Sequence, residues 1–309
     1  MMRPNKNNYY KIDTLSSCRK CHPISGNISK PEKELMTYIK NIYDLEIQEN
    51  SKKIIKPYEL DMFFPDINLA IEYDGMYWHS KKSSEYHLEK TKRCDEEGIK
   101  LIHIFENDFI YRKEKILAMI DELFYNNMTN IDETKCTFNI INKDEARLFL
   151  NENHIDGFLL SNTYLGMFYN DELVSVGSFS KSKLKKYEWE MTRFANKLHY
   201  NISFAMKNVT DKFHEIVNTN SIVAYVDRRW SNGSEYYLNG FNDFRIIKPR
   251  HWYFKRNDMN LIPGYKVTSS TLTHFITYVD RAKSVHENMI DNNYLRIYDC
   301  GLIAMVKTY

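Results

Sequence analysis

One aromatic-rich stretch, "YELDMFFPDINLAIEYDGMYWHS" (58–80), sets Asp61, Glu72, Asp74 and His79, able to do acid–base or metal chemistry, among residues that otherwise favour burial. A buried charge is costly unless something positive compensates it, so three carboxylates in strand-forming surroundings ask for a cation. If the runs around Asp61 and Glu72 pair across "PDIN", Asp61 sits beside Glu72 and Asp74, and like charges that close repel unless a proton or a metal ion intervenes. Oxygen-only ligands with open positions suit Mg²⁺, or Mn²⁺ in its place, bound through carboxylates, waters and substrate phosphates. Beside such an ion His79 would give or take a proton, and the set would hydrolyse a phosphodiester. Acidic residues also line solvated hairpin faces, so this spacing alone does not decide.

The elements that must position these residues are readable from pattern. "SKPEKELMTYIKNIY" begins with Ser29 and Glu32 in capping-box spacing and Pro31 in the first turn, then sets Leu35, Tyr38, Ile39 and Ile42 on one helical face. "YELDMFF" alternates, "PDIN" turns, and "LAIEYDG" is a second strand that carries Glu72 and Asp74 on one face. "SEYHLEKTKRCDEEG" is a helix ended by Gly98, with His87, Lys90 and Cys94 along one side, and "IKLIHIF" is an apolar strand suited to a buried position. "KEKILAMIDELF" is a further helix, and the polar "NNMTNIDETKC" after it marks a boundary between two halves.

Composition bounds the rest. With 309 residues and 43% hydrophobic content the chain can bury a sizeable core and divides into two domains more readily than one. A net charge of +2 is too small to imply a polyanionic partner, so a nucleic-acid argument must rest on local clusters. No run approaches the roughly 18 apolar residues of a membrane span, and the polar start lacks the apolar stretch of a signal peptide, which points to the cytoplasm and to no membrane partner. Five scattered cysteines fit a reducing compartment. "CRKCH" offers Cys18, Cys21 and His22, too few for a structural zinc site unless Cys94 joins them.

From Cys18 to Asp108 the chain resembles the phage-encoded homing endonucleases with a very-short-patch-repair-like nuclease domain, the EDxHD group of the PD-(D/E)xK superfamily. The residues that carry the likeness are "PEKEL", "YELDMFFPDINLAIEYDGMYWHS" and "YHLEKTKRCDEEGIKLIHIFEND". The resemblance implies a site-specific DNA endonuclease, with Asp61 as the essential metal-binding residue, Glu72 and Asp74 as the acidic pair, His79 in proton transfer and Glu32 in support. His87 and Lys90 fall where relatives carry charged residues facing the phosphate, and Lys90 would supply the charge that the superfamily's usual lysine gives. The organisation it implies is α/β: an N-terminal segment with CxxC (1–28), a nuclease domain of mixed sheet flanked by helices (29–128) and a C-terminal α+β acyltransferase-like domain (137–309), in a bacterial host cell if phage-encoded.

The C-terminal half mixes strands and helices: a hairpin around Asn170-Asp171, strands at "YEWEMTRFA" and "SIVAYVDRRWS", and a helix at "SFAMKNVTDKFHEIV". This run is similar to the acyltransferase-like domain of related phage endonucleases and to some phage DNA-modification proteins. Acyltransferases of that fold cradle a cofactor pyrophosphate with a Gly-rich loop before a helix, whereas "KLHYNISFAMKN" has no glycine. Basic and aromatic residues interleave at "DRRW" and "KPRHWYFKR", so Arg228, Arg229, Lys248, Arg250, Lys255 and Arg256 are candidate contacts to double-stranded DNA, joined by the lysines of "KSKLKK" (181–186). Three rival readings share these residues: a mismatch-type nicking endonuclease, a phage DNA-modification enzyme acting through the C-terminal domain, and a noncatalytic DNA-binding module. A double-strand cut by one active site would require a homodimer or two sequential nicks.

Overall fold

The computed structural model describes residues 29–124 and 128–309, which divide into two compact units after Asp44. The first unit is represented by α1 (Lys30–Ile42), whose Ser29 cap and Glu32 form the expected reciprocal capping box, with Leu35, Met36 and Ile39 buried. Met36 takes the buried place expected of Ile42, which is 39% exposed. The CxxC segment lies outside the described residues.

The second unit begins with a four-stranded sheet in spatial order β1 (Gln48–Ser51), β2 (Leu60–Phe64), β3 (Leu69–Asp74), then β4 of "KLIHIF". β2 and β3 are antiparallel with Met62 opposite Ile71, and Asn68 closes their turn at a φ of 48°. After β3 a short helix α2 (Met76–His79) and the longer α3 (Tyr86–Glu96) cross over to β4 (Lys100–Phe105), which lies parallel to β3 with His103 level with Glu72. Gly98 stops α3 at a φ of 70°, the left-handed step that glycine makes without steric cost. α4 (Glu106–Tyr111) and α5 (Lys113–Leu123) follow.

The remaining chain builds a seven-stranded sheet from β5 (Thr129–Ile131) onward. Its elements are β6 (Thr137–Ile140), α6 (Lys143–Asn153), β7 (Thr163–Tyr169), β8 (Glu172–Lys181), β9 (Trp189–Asn196), β10 (Tyr200–Ile202), α7 (Ala205–Val217), β11 (Ser221–Asp227) and α8 (Ser234–Leu238). They continue with β12 (Asp243–Ile247), β13 (His251–Lys255), β14 (Asp258–Pro263), α9 (Val285–Asp291), β15 (Tyr294–Tyr298) and β16 (Leu302–Thr308). The large sheet runs β12-β16-β11-β9-β8-β7-β6, β13 pairs with β14 and β15 in a separate three-stranded sheet, and β5 pairs in parallel with β10. Asn170 and Asp171 turn the β7–β8 hairpin with positive φ at both positions, as their residue types foretell. The fold is therefore mixed α/β, and no helix among the described residues is long and apolar enough to cross a membrane.

One relation inside the large sheet differs from its neighbours. β9 and β11 are parallel and pair only from Trp189–Ile222 to Met191–Ala224. Thr192 is an extra residue in β9 opposite the Ser178–Phe179 step of β8, a bulge that bends the strand where its pairing with β11 stops. Beyond it the two strands run on without pairing to each other.

Gly301, between β15 and β16, has a φ of 80°, and an added Cβ would collide with the Ile247 carbonyl oxygen. Gly98 has a similar φ but open space where its Cβ would stand. Gly98→Ala should therefore cost about 1 kcal/mol of conformational strain alone, and Gly301→Ala distinctly more. Paired urea unfolding curves check this; equal losses would show that strain, not collision, governs both sites.

Candidate functional site

The residues singled out from sequence do meet, but in a different arrangement. The β2–β3 ladder ends at Met62 and Ile71, and beyond it side chains take over the backbone donors: Asp61 N donates to Glu72 Oε1 at 2.9 Å, and Tyr73 N donates to Asp61 Oδ2 at 2.9 Å. Glu72, fully buried on β3, pairs through its other oxygen with the ammonium of Lys90 from α3. Burial alone would lower the Lys90 pKa, but the facing Glu72 carboxylate and then Asp61 lift it above the usual lysine range. Lys90 thus neutralises the carboxylate that a metal would otherwise have to neutralise.

Asp74 is buried among histidines. His103 of β4 reaches its Oδ2 at 2.8 Å; His79 at the end of α2 and His87 of α3 approach Oδ1 at 3.1 and 3.5 Å. Burial would raise the Asp74 pKa, yet the imidazoles of His79, His103 and His87 outweigh it and hold the carboxyl well below its usual range. His79 and His87 stack with centroids 4.9 Å apart, their Nδ1 and Nε2 separated by 2.6 Å. Burial depresses the His79 pKa to about 3 against the opposing pull of Asp74, so this ring is neutral at pH 7. His87 Nδ1 donates to the Tyr298 carbonyl of β15 at 2.7 Å.

The expected oxygen-only metal site does not form. Asp61, Glu72 and Asp74 are each engaged by a different partner: a backbone N–H, an ammonium and imidazoles. Among the described residues the acid–imidazole group whose ligand atoms converge is Asp74, His87 and His103. His103 was not singled out from sequence; its signal was a lone polar residue in "IKLIHIF", and a buried polar group demands a partner. Glu32 caps α1, accepting from Ser29 N at 3.2 Å. Cys94 packs in the apolar cluster under β2 and β4, where burial pushes its thiol up to about 12.

Half of the candidate DNA contacts prove to be internal clamps. Arg228, 3% exposed, bonds Asp95 at 2.7 Å; Arg229 bonds Asp108 at 2.9 Å and Asp227 at 3.0 Å beneath the Phe105 ring; Arg250 bonds Asp299 and Asp227. Each of these guanidiniums is thus engaged by at least one carboxylate of the protein itself, buried Asp108 and Asp299 among them. Lys248 and Lys255 are exposed, and Arg256 lies over the Tyr77 ring with its guanidinium 4.2 Å from the centroid.

No family model and no curated protein matches the chain. Solved structures do match. An acetyltransferase from Bacillus subtilis in complex with CoA is 12% identical, covers 57% of this chain and 98% of its own, and has a TM-score of 0.31. A GNAT family acetyltransferase from Elizabethkingia anophelis with acetyl-CoA bound is 14% identical, covers 57% and 99%, and scores 0.30. One from Streptococcus pneumoniae is 10% identical, covers 56% and 99%, and scores 0.31. They align with the C-terminal half, and identities and scores this low carry no argument about activity. The expectation of a homing endonuclease is corrected: the structures that match this chain are acetyltransferases, and the carboxylates meant for Mg²⁺ or Mn²⁺ are engaged instead by backbone N–H groups, Lys90 and imidazoles. The endonuclease, hydrolase and magnesium assignments fall together.

If Lys90 serves to neutralise Glu72, Lys90→Met should destabilise the protein by about 3–5 kcal/mol, because it leaves a buried charge unpaired. Adding Glu72→Gln should recover most of that loss. Chemical denaturation of the single and double variants measures both, and a double variant no better than the single would refute the pairing.

Proposed function

We propose that the chain is a DNA-modifying enzyme whose large sheet is acyltransferase-like and transfers an acyl group to double-stranded DNA. The observation that carries this reading is the opening between β9 and β11. Their pairing ends at Met191–Ala224, the Thr192 bulge turns β9 aside, and each strand keeps its other edge paired, β9 to β8 and β11 to β16. Two unpaired edges facing each other inside a sheet suit an extended ligand with amide groups, which docks as an added strand does. The pantetheine arm of an acyl-CoA has that chemistry.

Tyr236 of α8 is suited to supply the proton. Burial raises its phenol to about 12, with the carboxylates of Glu235 and Asp227 adding to the effect and Arg193 of β9 opposing it. The ring therefore senses charges from both diverging strands and keeps its proton at neutral pH, as an acid that protonates a departing thiolate must. Ahead of α7 no glycine-rich loop is present; "YNI" (200–202) is paired with Thr129–Ile131, and Phe204 enters the helix at a φ of 51° with no capping side chain. Donor recognition on this reading rests on the strand edges more than on a phosphate loop. Exposed Lys248, Lys255 and the 183–186 loop, with Arg256 beside them in sequence, are the cations left to hold the acceptor's phosphates.

The test is calorimetric titration with CoA and acetyl-CoA, followed by incubation of labelled acetyl-CoA with duplex DNA. Donor binding and label on DNA are expected, and Tyr236→Phe should retain binding while transfer slows about 10²-fold. A protein that binds neither CoA nor acetyl-CoA would refute the proposal.

A further inference from the structure

The Asp74 cluster is not explained by acyl transfer, and its hydrogen-bond accounting does not close. His87 Nδ1 donates to the Tyr298 carbonyl, which can only accept, so Nε2 is the nitrogen turned toward the cluster, 2.6 Å from His79 Nδ1. The same Nε2 lies 3.5 Å from Asp74 Oδ1, an oxygen of a fully buried carboxylate that has no hydrogen-bond partner. His79 Nδ1 lies 3.1 Å from the same oxygen outside hydrogen-bond geometry. A fully buried carboxylate oxygen without a donor is costly, and a positive ion held between it and the imidazole nitrogens would relieve that cost, His79 giving up its bond to His87 Nε2.

We infer that Asp74, His87 and His103 bind one divalent ion of the zinc class. Their ligand atoms lie within 4.8 Å of one another. Nitrogen and oxygen ligands about 2.0–2.1 Å from a tetrahedral ion stand roughly 3.4 Å apart, close to the 3.5 Å between His87 Nε2 and Asp74 Oδ1. Two imidazoles and one carboxylate select zinc, cobalt or iron over magnesium, which prefers an octahedral shell of oxygens. The bond from His87 Nδ1 to the Tyr298 carbonyl is the outer contact that fixes a ligating histidine's tautomer and orientation. His79, whose side chain is 15% exposed, stands where a fourth ligand or an entering water would be. The ion thereby joins β3, α3 and β4, independently of any acyl donor.

The experiment strips the full-length protein with chelator, confirms folding by circular dichroism and titrates it with Co²⁺ while recording visible absorption. One Co²⁺ per chain with ligand-field bands, displaced by one equivalent of Zn²⁺ and not by excess Mg²⁺, is expected. His87→Asn and His103→Asn should each weaken binding at least about 100-fold, whereas Cys18→Ser with Cys21→Ser should leave it unchanged. Absence of bands in the wild-type protein, or bands abolished by the cysteine changes and kept in the histidine variants, would overturn the inference. Should the histidine variants not fold, the wild-type melting temperature decides: it should rise by several degrees with one equivalent of Zn²⁺, and no rise would count against the site.

Discussion

The buried guanidinium of Arg229 is the constraint on which the second unit depends. It lies 5% exposed, just past the end of β11, and bonds Asp227, the last residue of that strand, and Asp108 from α4. Burial opposes its charge, but Asp227 and then Asp108 raise its pKa well above the usual value, so the charge is permanent. Asp227 in turn holds Arg250, which holds Asp299. Arg229, Asp108 and Asp299 are desolvated, Arg250 remains partly exposed, and removing Arg229 would deprive two carboxylates of a partner. The same segment closes the free edge of β4, whose His103 N–H donates to the Arg229 carbonyl at 2.8 Å. A strand edge, a helix and the end of a large sheet are thus fixed by one residue, and the planar fork of arginine suits it to three directions at once.

Against that network the Asp74 environment stands out. Glu72, Asp108, Asp227 and Asp299 all face lysine or arginine, cations that need no second agent. Asp74 alone among these faces only imidazoles, whose charge depends on where their protons sit. The protein has compensated its structural carboxylates with permanent charge and left one to groups that also bind metals.

Local signals carried the legible part of the fold. The β2–β3 and β7–β8 turns, the Gly98 stop and the α1 capping box are each set by a few adjacent residues whose backbone preferences point one way. The gathering of Asp61, Glu72, Asp74, His79, His87 and Lys90 was legible too, because β3, α2 and α3 follow one another closely. What failed was the identity of each carboxylate's partner. Lys90 read as a phosphate contact because nothing in its spacing shows it turned inward to Glu72. Arg228 and Arg229 read as surface cations because their acids, Asp95 and Asp108, lie more than a hundred residues earlier. The Thr192 bulge left no mark, since threonine is at home in a regular strand.

The tie between His87 and the Tyr298 carbonyl spans 211 positions. Synthesis proceeds from the amino end, and domains ordinarily fold in the order they emerge. Here the histidine pocket receives this orienting contact only from β15, long after all three candidate ligands have been made. A nascent chain that has not yet reached β15 would carry every candidate ligand and still lack the contact that orients His87.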